Sequence, residues 1–107
     1  MNIAIHQPNY MPWAGYFYKM AKSDVFVLLD SVQYEKNGMT NRVKIKTSQG
    51  PLWLTVSVRR NFPCIIKDAH IADSAQLRAR HLKTIEMNYK RAPFFEYVFP
   101  ELRAILE

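Results

Sequence analysis

His6, Gln7, Asn9 and Tyr10 fall inside the run "IAIHQPNYMPWAGYFYKM", with Trp13, Gly15 and Tyr16 directly behind them. An imidazole, two carboxamides and a phenol give both hydrogen-bond donors and acceptors, a set suited to hydroxyl-rich or anionic molecules. Pro8 and Pro12 exclude regular ladder pairing, so these groups lie in a loop. The plainer alternative is that His6 and Asn9 satisfy loop carbonyls while Tyr10 and Trp13 fill the core. A bare connector of about 2–6 residues needs fewer polar groups and rings than this.

A second set follows. Asp30 ends an apolar run, and Gln33, Tyr34, Asn37 and Asn41 come soon after it. A carboxylate there could hold sugar hydroxyls or accept a proton, or simply cap the next turn. Arg42, Lys44 and Lys46 alternate with Val43 and Ile45, so they share one face of a strand, about 6.5–7 Å apart. They could hold a polyphosphate, with Trp53 as a stacking surface, or form a solvated face. His81 on an apolar helical stripe reads as a hydrogen-bonded core residue. His70 has no partner pattern, and Cys64 reads as an ordinary small buried residue. No Cys/His spacing suits a metal, and no cofactor or metal is expected.

These residues need elements to position them. Asn2 to Ile5 suits a short buried strand. From Trp13 the period is helical, with Trp13, Phe17 and Met20 on the stripe expected to face the core, Ala21 beside it, and Lys19 and Lys22 opposite. Val25 to Leu29 between two aspartates reads as a central strand covered on both faces. Strand, helix and strand in this order predict a βαβ unit. In open α/β sheets ligands lie beyond the carboxyl ends of the strands, where a helix N-terminus also favours anions. His6 and Asp30 would both reach that crevice, and Gly15 would let a ligand approach the backbone.

"NRVKIKTSQGPLWLTVSVRR" alternates on both sides of a turn at Ser48 to Pro51 and predicts a β-hairpin. Its second arm carries Leu52, Leu54, Val56 and Val58 on the apolar face. Asp73 or Ser74 can cap a helix to about Tyr89, with Leu77, His81, Leu82, Ile85 and Tyr89 as its inner stripe. Pro93 and Pro100 are expected to break the rest into short helical pieces. The fold class is therefore α/β: a small sheet with a βαβ start, a β-hairpin and C-terminal helices.

At 107 residues and 49% hydrophobic content, the chain is expected to form one domain, spanning 1–107. Its net charge of +6, from 15 Lys and Arg against 9 Asp and Glu, favours anionic partners. One cysteine excludes an internal disulfide, and no run is long and apolar enough to span a membrane. A cytoplasmic location is the expectation.

Three blocks in order, "HQPNYMPWAGYF", "SDVFVLLDSVQYEKN" and "NRVKIKTSQG", with the later "HLKTIEMNYKRAPFF", resemble the WbqC-like protein family. The likeness covers nearly the whole chain. Val43 departs from it, standing where an Asn is expected between the basic residues. Members of that family are longer, so the resemblance implies a chain corresponding to an N-terminal half. The family takes its name from gene clusters for O-antigen and other bacterial surface polysaccharides. The resemblance therefore implies a role in glycan assembly.

The order of strand, proline-containing loop, Gly with aromatics, helix and strand also resembles the HxGH nucleotidyltransferases. Both histidines of that motif are missing from Trp13-Ala14-Gly15-Tyr16, so only the architecture carries over. Residues and resemblance together predict binding of a nucleotide-sugar or another anionic phosphorylated sugar. Group transfer is the expected reaction class, with His6 as proton acceptor, Asp30 as its orienter or hydroxyl ligand, and Gly15 with the helix start holding the anion. The rival reading is a non-catalytic binding or assembly module. Nucleic-acid binding through the hairpin ranks third, because no recognised motif accompanies the charge. Leu102, Ile105 and Leu106 are expected to be partly exposed or engaged in a homodimer contact through the C-terminal helix.

Overall fold

The strand–helix–strand start forms as the periodicity predicts. β1 (Ile3–His6) and β2 (Val25–Leu28) pair in parallel, with α1 (Ala14–Lys22) as the crossover. The register sets Ile3 beside Val25, Ala4 beside Phe26, Ile5 beside Val27 and His6 beside Leu28. A computed structural model describes residues 1–36, 38–59, 63–72 and 74–107 of the chain.

Two expectations about burial are corrected here. The stripe of Trp13, Phe17 and Met20 is exposed, and the residue of α1 that enters the core is Tyr16, at 3% exposure. Tyr16 lies one position off the Phe17 row, and its ring meets Phe26 at 5.4 Å between centroids. A two-stranded sheet offers one helix one narrow groove, and the single residue that fills it wins over the broader apolar stripe. The strands, expected to be covered on both faces, have one bare face. Ile3 and Ile5 are 61% and 54% exposed, and Val25 and Val27 beside them are exposed too. Side chains alternate along a strand, so these four make one β-branched surface opposite Phe26.

β3 (Arg42–Thr47) and β4 (Gly50–Thr55) form the hairpin. Gly50, at φ +104°, supplies a conformation that few other residues adopt, and Thr47 Oγ1 donates to its carbonyl. The predicted faces hold in part: Lys44 and Lys46 are exposed, Ile45 is half-buried and Leu54 is buried, but Leu52, expected on the apolar face, is exposed, and Arg42, expected beside the lysines, is half-buried. The second arm is shorter than its alternation suggested. It ends at Thr55, and β5 (Val58–Arg59) pairs instead with β6 (His70–Ile71), antiparallel. A short 3₁₀ turn at Ile66–Asp68 precedes β6.

α2 (Ser74–Tyr89) buries Leu77, His81, Leu82 and Ile85 of the stripe read from the sequence and half-buries its last member, Tyr89, while Arg80 and Lys83 are exposed. Asp73, one candidate for its cap, lies outside the described residues, as does Asn37. α3 (Phe95–Leu106) overturns the expected break. It runs straight through Pro100 as one helix, with Phe99 buried and Ile105 exposed. Pro100 sits on the exposed side, where its ring meets solvent and only one intrahelical hydrogen bond is lost.

The residues divide into two compact units. The first comprises Met1–Val43 with Thr55–Ala72, and the second Lys44–Leu54 with Asp73–Glu107. Among the described residues no helix is long and apolar enough to cross a membrane.

Candidate functional site

β1 ends at His6, and the Leu29 N–H donates to the His6 carbonyl at 2.9 Å, so the loops after both parallel strands leave from one edge. The Tyr10 N–H ties them together by donating to the Met39 carbonyl at 3.2 Å. A cleft of about 500 Å³ opens between them. His6, Gln7, Asn9 and Trp13 line one side, and Leu29, Glu35, Met39 and Thr40 the other. Of the four residues that sequence reasoning took from the first loop, His6, Gln7 and Asn9 line the cleft together with Trp13, whereas the Tyr10 side chain does not. Glu35 and Thr40 were missed, although Glu35 stands beside Gln33 and Tyr34 in a block already singled out. Only the loop's path shows that Glu35 turns toward His6 while its neighbours turn elsewhere.

Tyr16 forms the foundation of this cleft. Its ring lies edge-on to His6 at 4.7 Å and to Trp13 at 5.6 Å, and its hydroxyl donates to the Gln7 carbonyl at 3.2 Å. Burial pushes its phenol pKa up, and pushes that of Tyr10 up to about 12, so both stay protonated donors at neutral pH. Lys19 Nζ lies 3.3 Å from both the Ile5 carbonyl oxygen and His6 Nδ1. An ammonium has only donors, so Nδ1 accepts and the neutral ring carries its proton on Nε2. Met11, between Tyr10 and Pro12, is held at φ 44°, a left-handed conformation that costs a non-glycine residue about 1–3 kcal/mol. Such strain concentrates where a loop is shaped for binding.

Gly15 has a different neighbour from the one its position suggested. A Cβ there would lie 2.3 Å from Trp13 Nε1, so the indole of the chain itself occupies the close approach. Gly15→Ala is therefore expected to push the half-exposed Trp13 ring out of its place while leaving α1 folded. Ala gains about 1 kcal/mol of helix propensity over Gly. The measurement is Trp13 fluorescence in a Trp53→Phe background. An unchanged emission spectrum together with unchanged stability would contradict the packing described.

The other nominated residues lie elsewhere. Asp30 is exposed, does not line the cleft, and offers its backbone carbonyl to the Lys67 N–H at 2.9 Å. Gln33 bridges to Ile65 and faces a recess of about 560 Å³ with Cys64 and Asp68. Tyr34, Asn41 and Arg42 line another recess, in the same unit. Lys44 and Lys46 belong to the second unit, where Lys44 Nζ stands 4.9 Å over the Trp53 ring and the Lys46 N–H donates to Tyr89 Oη at 2.8 Å. His70 is exposed and His81 buried. Among the described residues no group of three or more His, Cys, Asp or Glu could hold a metal ion.

A profile of the WbqC-like protein family matches residues 7–107, beginning inside the loop that builds the cleft. The chain belongs to the WbqC-like protein family. A relative from Mycobacterium tuberculosis (strain ATCC 25618 / H37Rv), "Uncharacterized protein Rv1507c", is 41% identical over 95 residues. The match takes in 87% of this WbqC-like chain and 41% of the relative, so the chain spans about two fifths of the length of that curated relative. No solved structure matches it.

Proposed function

We propose that this WbqC-like chain binds a phosphorylated sugar, as a nucleotide-sugar, in the cleft between the two strand-end loops, and serves bacterial surface-polysaccharide biosynthesis. The observation that carries this reading is the convergence of Gln7, Asn9, Glu35 and Thr40 around one opening with the Trp13 ring at its side. Carboxamides, a carboxylate and a hydroxyl match the hydroxyls of a sugar, and an indole offers its ring face to a pyranose or a base. Lys19 and the start of α1 supply positive potential for the phosphate. Within this reading the sequence-based roles are revised. With Lys19 donating to Nδ1, His6 presents an Nε2–H donor, and Glu35 is the group placed to accept a proton in a group transfer.

A screen of nucleotide-sugars for thermal stabilisation tests the proposal. Ligand at about 100 times its dissociation constant is expected to add ~2.7 kcal/mol, and Asn9→Ala with Glu35→Gln is expected to reduce that gain. No response to any nucleotide-sugar would overturn the reading. The second reading, an assembly module, is favoured by the bare face of Ile3, Ile5, Val25 and Val27, since parallel sheets are normally covered on both sides. An assembly module would give no stabilisation in the screen.

A further inference from the structure

We infer that a second recess of the N-terminal unit, at the base of the hairpin, is a binding site for the phosphoryl group of a phosphate monoester. Its volume is about 440 Å³, within the range of about 300–1,000 Å³ typical of small-molecule pockets. Lys36 and Arg42 line it, together with Tyr34, Asn41, Thr55 and Ser57. Val56 and Val58 complete the lining, and none of the described lining residues is a carboxylate. Two positive charges, with no carboxylate among the described lining residues, give the recess a potential that favours an anion.

The recess is built on a braced frame. The Val56 N–H donates to the Asn41 carbonyl at 2.7 Å, and Asn41 Nδ2 donates to the Val56 carbonyl at 2.9 Å, so Asn41 clamps the two strands of the hairpin base. Next to that clamp, Arg42 is half-buried rather than waving in solvent, and Tyr34 is buried with its N–H on the Cys64 carbonyl at 2.8 Å. A planar guanidinium held in place suits two oxygens of one phosphate, and an ammonium adds a point charge. Hydroxyls that both donate and accept suit the remaining oxygens and the ester group.

The recess is distinct from the sugar cleft, and its assignment stands independently of that reading. Residues 34–36 and 38–41 form a wall common to both. Tyr34, Lys36 and Asn41 turn to the recess, whereas Glu35 and Thr40 turn to the cleft. Sequence reasoning grouped Arg42 with Lys44 and Lys46 as one basic stripe, but the structure gives Arg42 to this pocket instead.

The test is an amide-resolved NMR titration of the 107-residue chain at constant ionic strength. Inorganic phosphate, a hexose 1-phosphate and a nucleoside monophosphate are the probes, with acetate as the control. All three phosphates are expected to give saturable shifts at the amides of Tyr34, Lys36, Arg42 and Ser57, and the tightest names the carrier of the phosphoryl group. Lys36→Gln, on the exposed rim, and Arg42→Gln are each expected to raise the dissociation constant about tenfold. Arg42→Lys, which keeps the charge and the fold, should raise it less than Arg42→Gln. Equal response to acetate, binding of inorganic phosphate without either monoester, or affinity unchanged in Lys36→Gln would each overturn the assignment.

Discussion

Tyr16→Ala is expected to cost the N-terminal unit about 3–5 kcal/mol, the usual loss when a large buried aromatic is cut to alanine. That is a large share of the roughly 5–15 kcal/mol that holds a small domain folded. The prediction follows from how much converges on one ring. Tyr16 is 3% exposed and touches His6 and Phe26 from the two strands and Trp13 and Phe17 from the start of the crossover helix. No other residue of α1 is buried, so nothing in that helix can close over the cavity left behind. Urea denaturation followed by Trp13 emission in the Trp53→Phe background measures it. Tyr16→Phe separates the two parts of the effect, since it keeps the packing and removes only the hydroxyl that donates to the Gln7 carbonyl, for about 1 kcal/mol. A loss below 1 kcal/mol in Tyr16→Ala would show that the core of this unit lies elsewhere. A Tyr16→Phe variant that folds normally but binds no sugar would instead show that the Gln7 carbonyl must be held for the cleft to keep its shape.

How much of this could be read beforehand depends on whether one element alone decided the outcome. The inner stripe of α2 was legible because a helix of 16 residues repeats its pattern four times over, so Leu77, His81, Leu82 and Ile85 could hardly face elsewhere. Ile45 and the lysines of β3 were legible for the same reason at period two. The α1 stripe was not. In nine residues nearly every position is apolar or aromatic, and the choice between Phe17 and Tyr16 was made by the groove between Ala4, His6 and Phe26, which belongs to other elements. The same holds for the site. The loop after β1 announced itself through its donors and rings, whereas Glu35 and Thr40 reached the cleft only because the Tyr10 N–H meets the Met39 carbonyl. Asp30 failed to line the cleft for a related reason. Standing at the end of a strand fixes where the backbone emerges but not where the side chain turns.

Pro100→Ala is expected to stabilise the C-terminal unit by about 1–3 kcal/mol, up to the full difference between proline and alanine in a helix interior. The helix begins at Phe95, and the Val98 N–H already donates to the Phe94 carbonyl, so Pro100 lies past the first turn, where proline would cost nothing. It cannot donate to the Glu96 carbonyl, and its ring crowds that carbonyl. Contacts on either side of it hold the helix together. The Phe95 and Phe99 rings stack at 4.7 Å, the Arg103 guanidinium lies 5.8 Å from the Phe99 ring, and Arg103 pairs with Glu107 at 3.2 Å. Spaced by four, these side chains form a row along one face, and buried Phe99 anchors it. Exposed Pro100 interrupts the backbone without touching that row. Far-UV circular dichroism against urea measures the change, with the denaturant slope expected to stay constant. A neutral or destabilised variant would mean that α3 needs the bend that proline imposes in order to pack on α2, and that the sequence rule of a break at Pro100 describes a kink that the helix uses rather than an end.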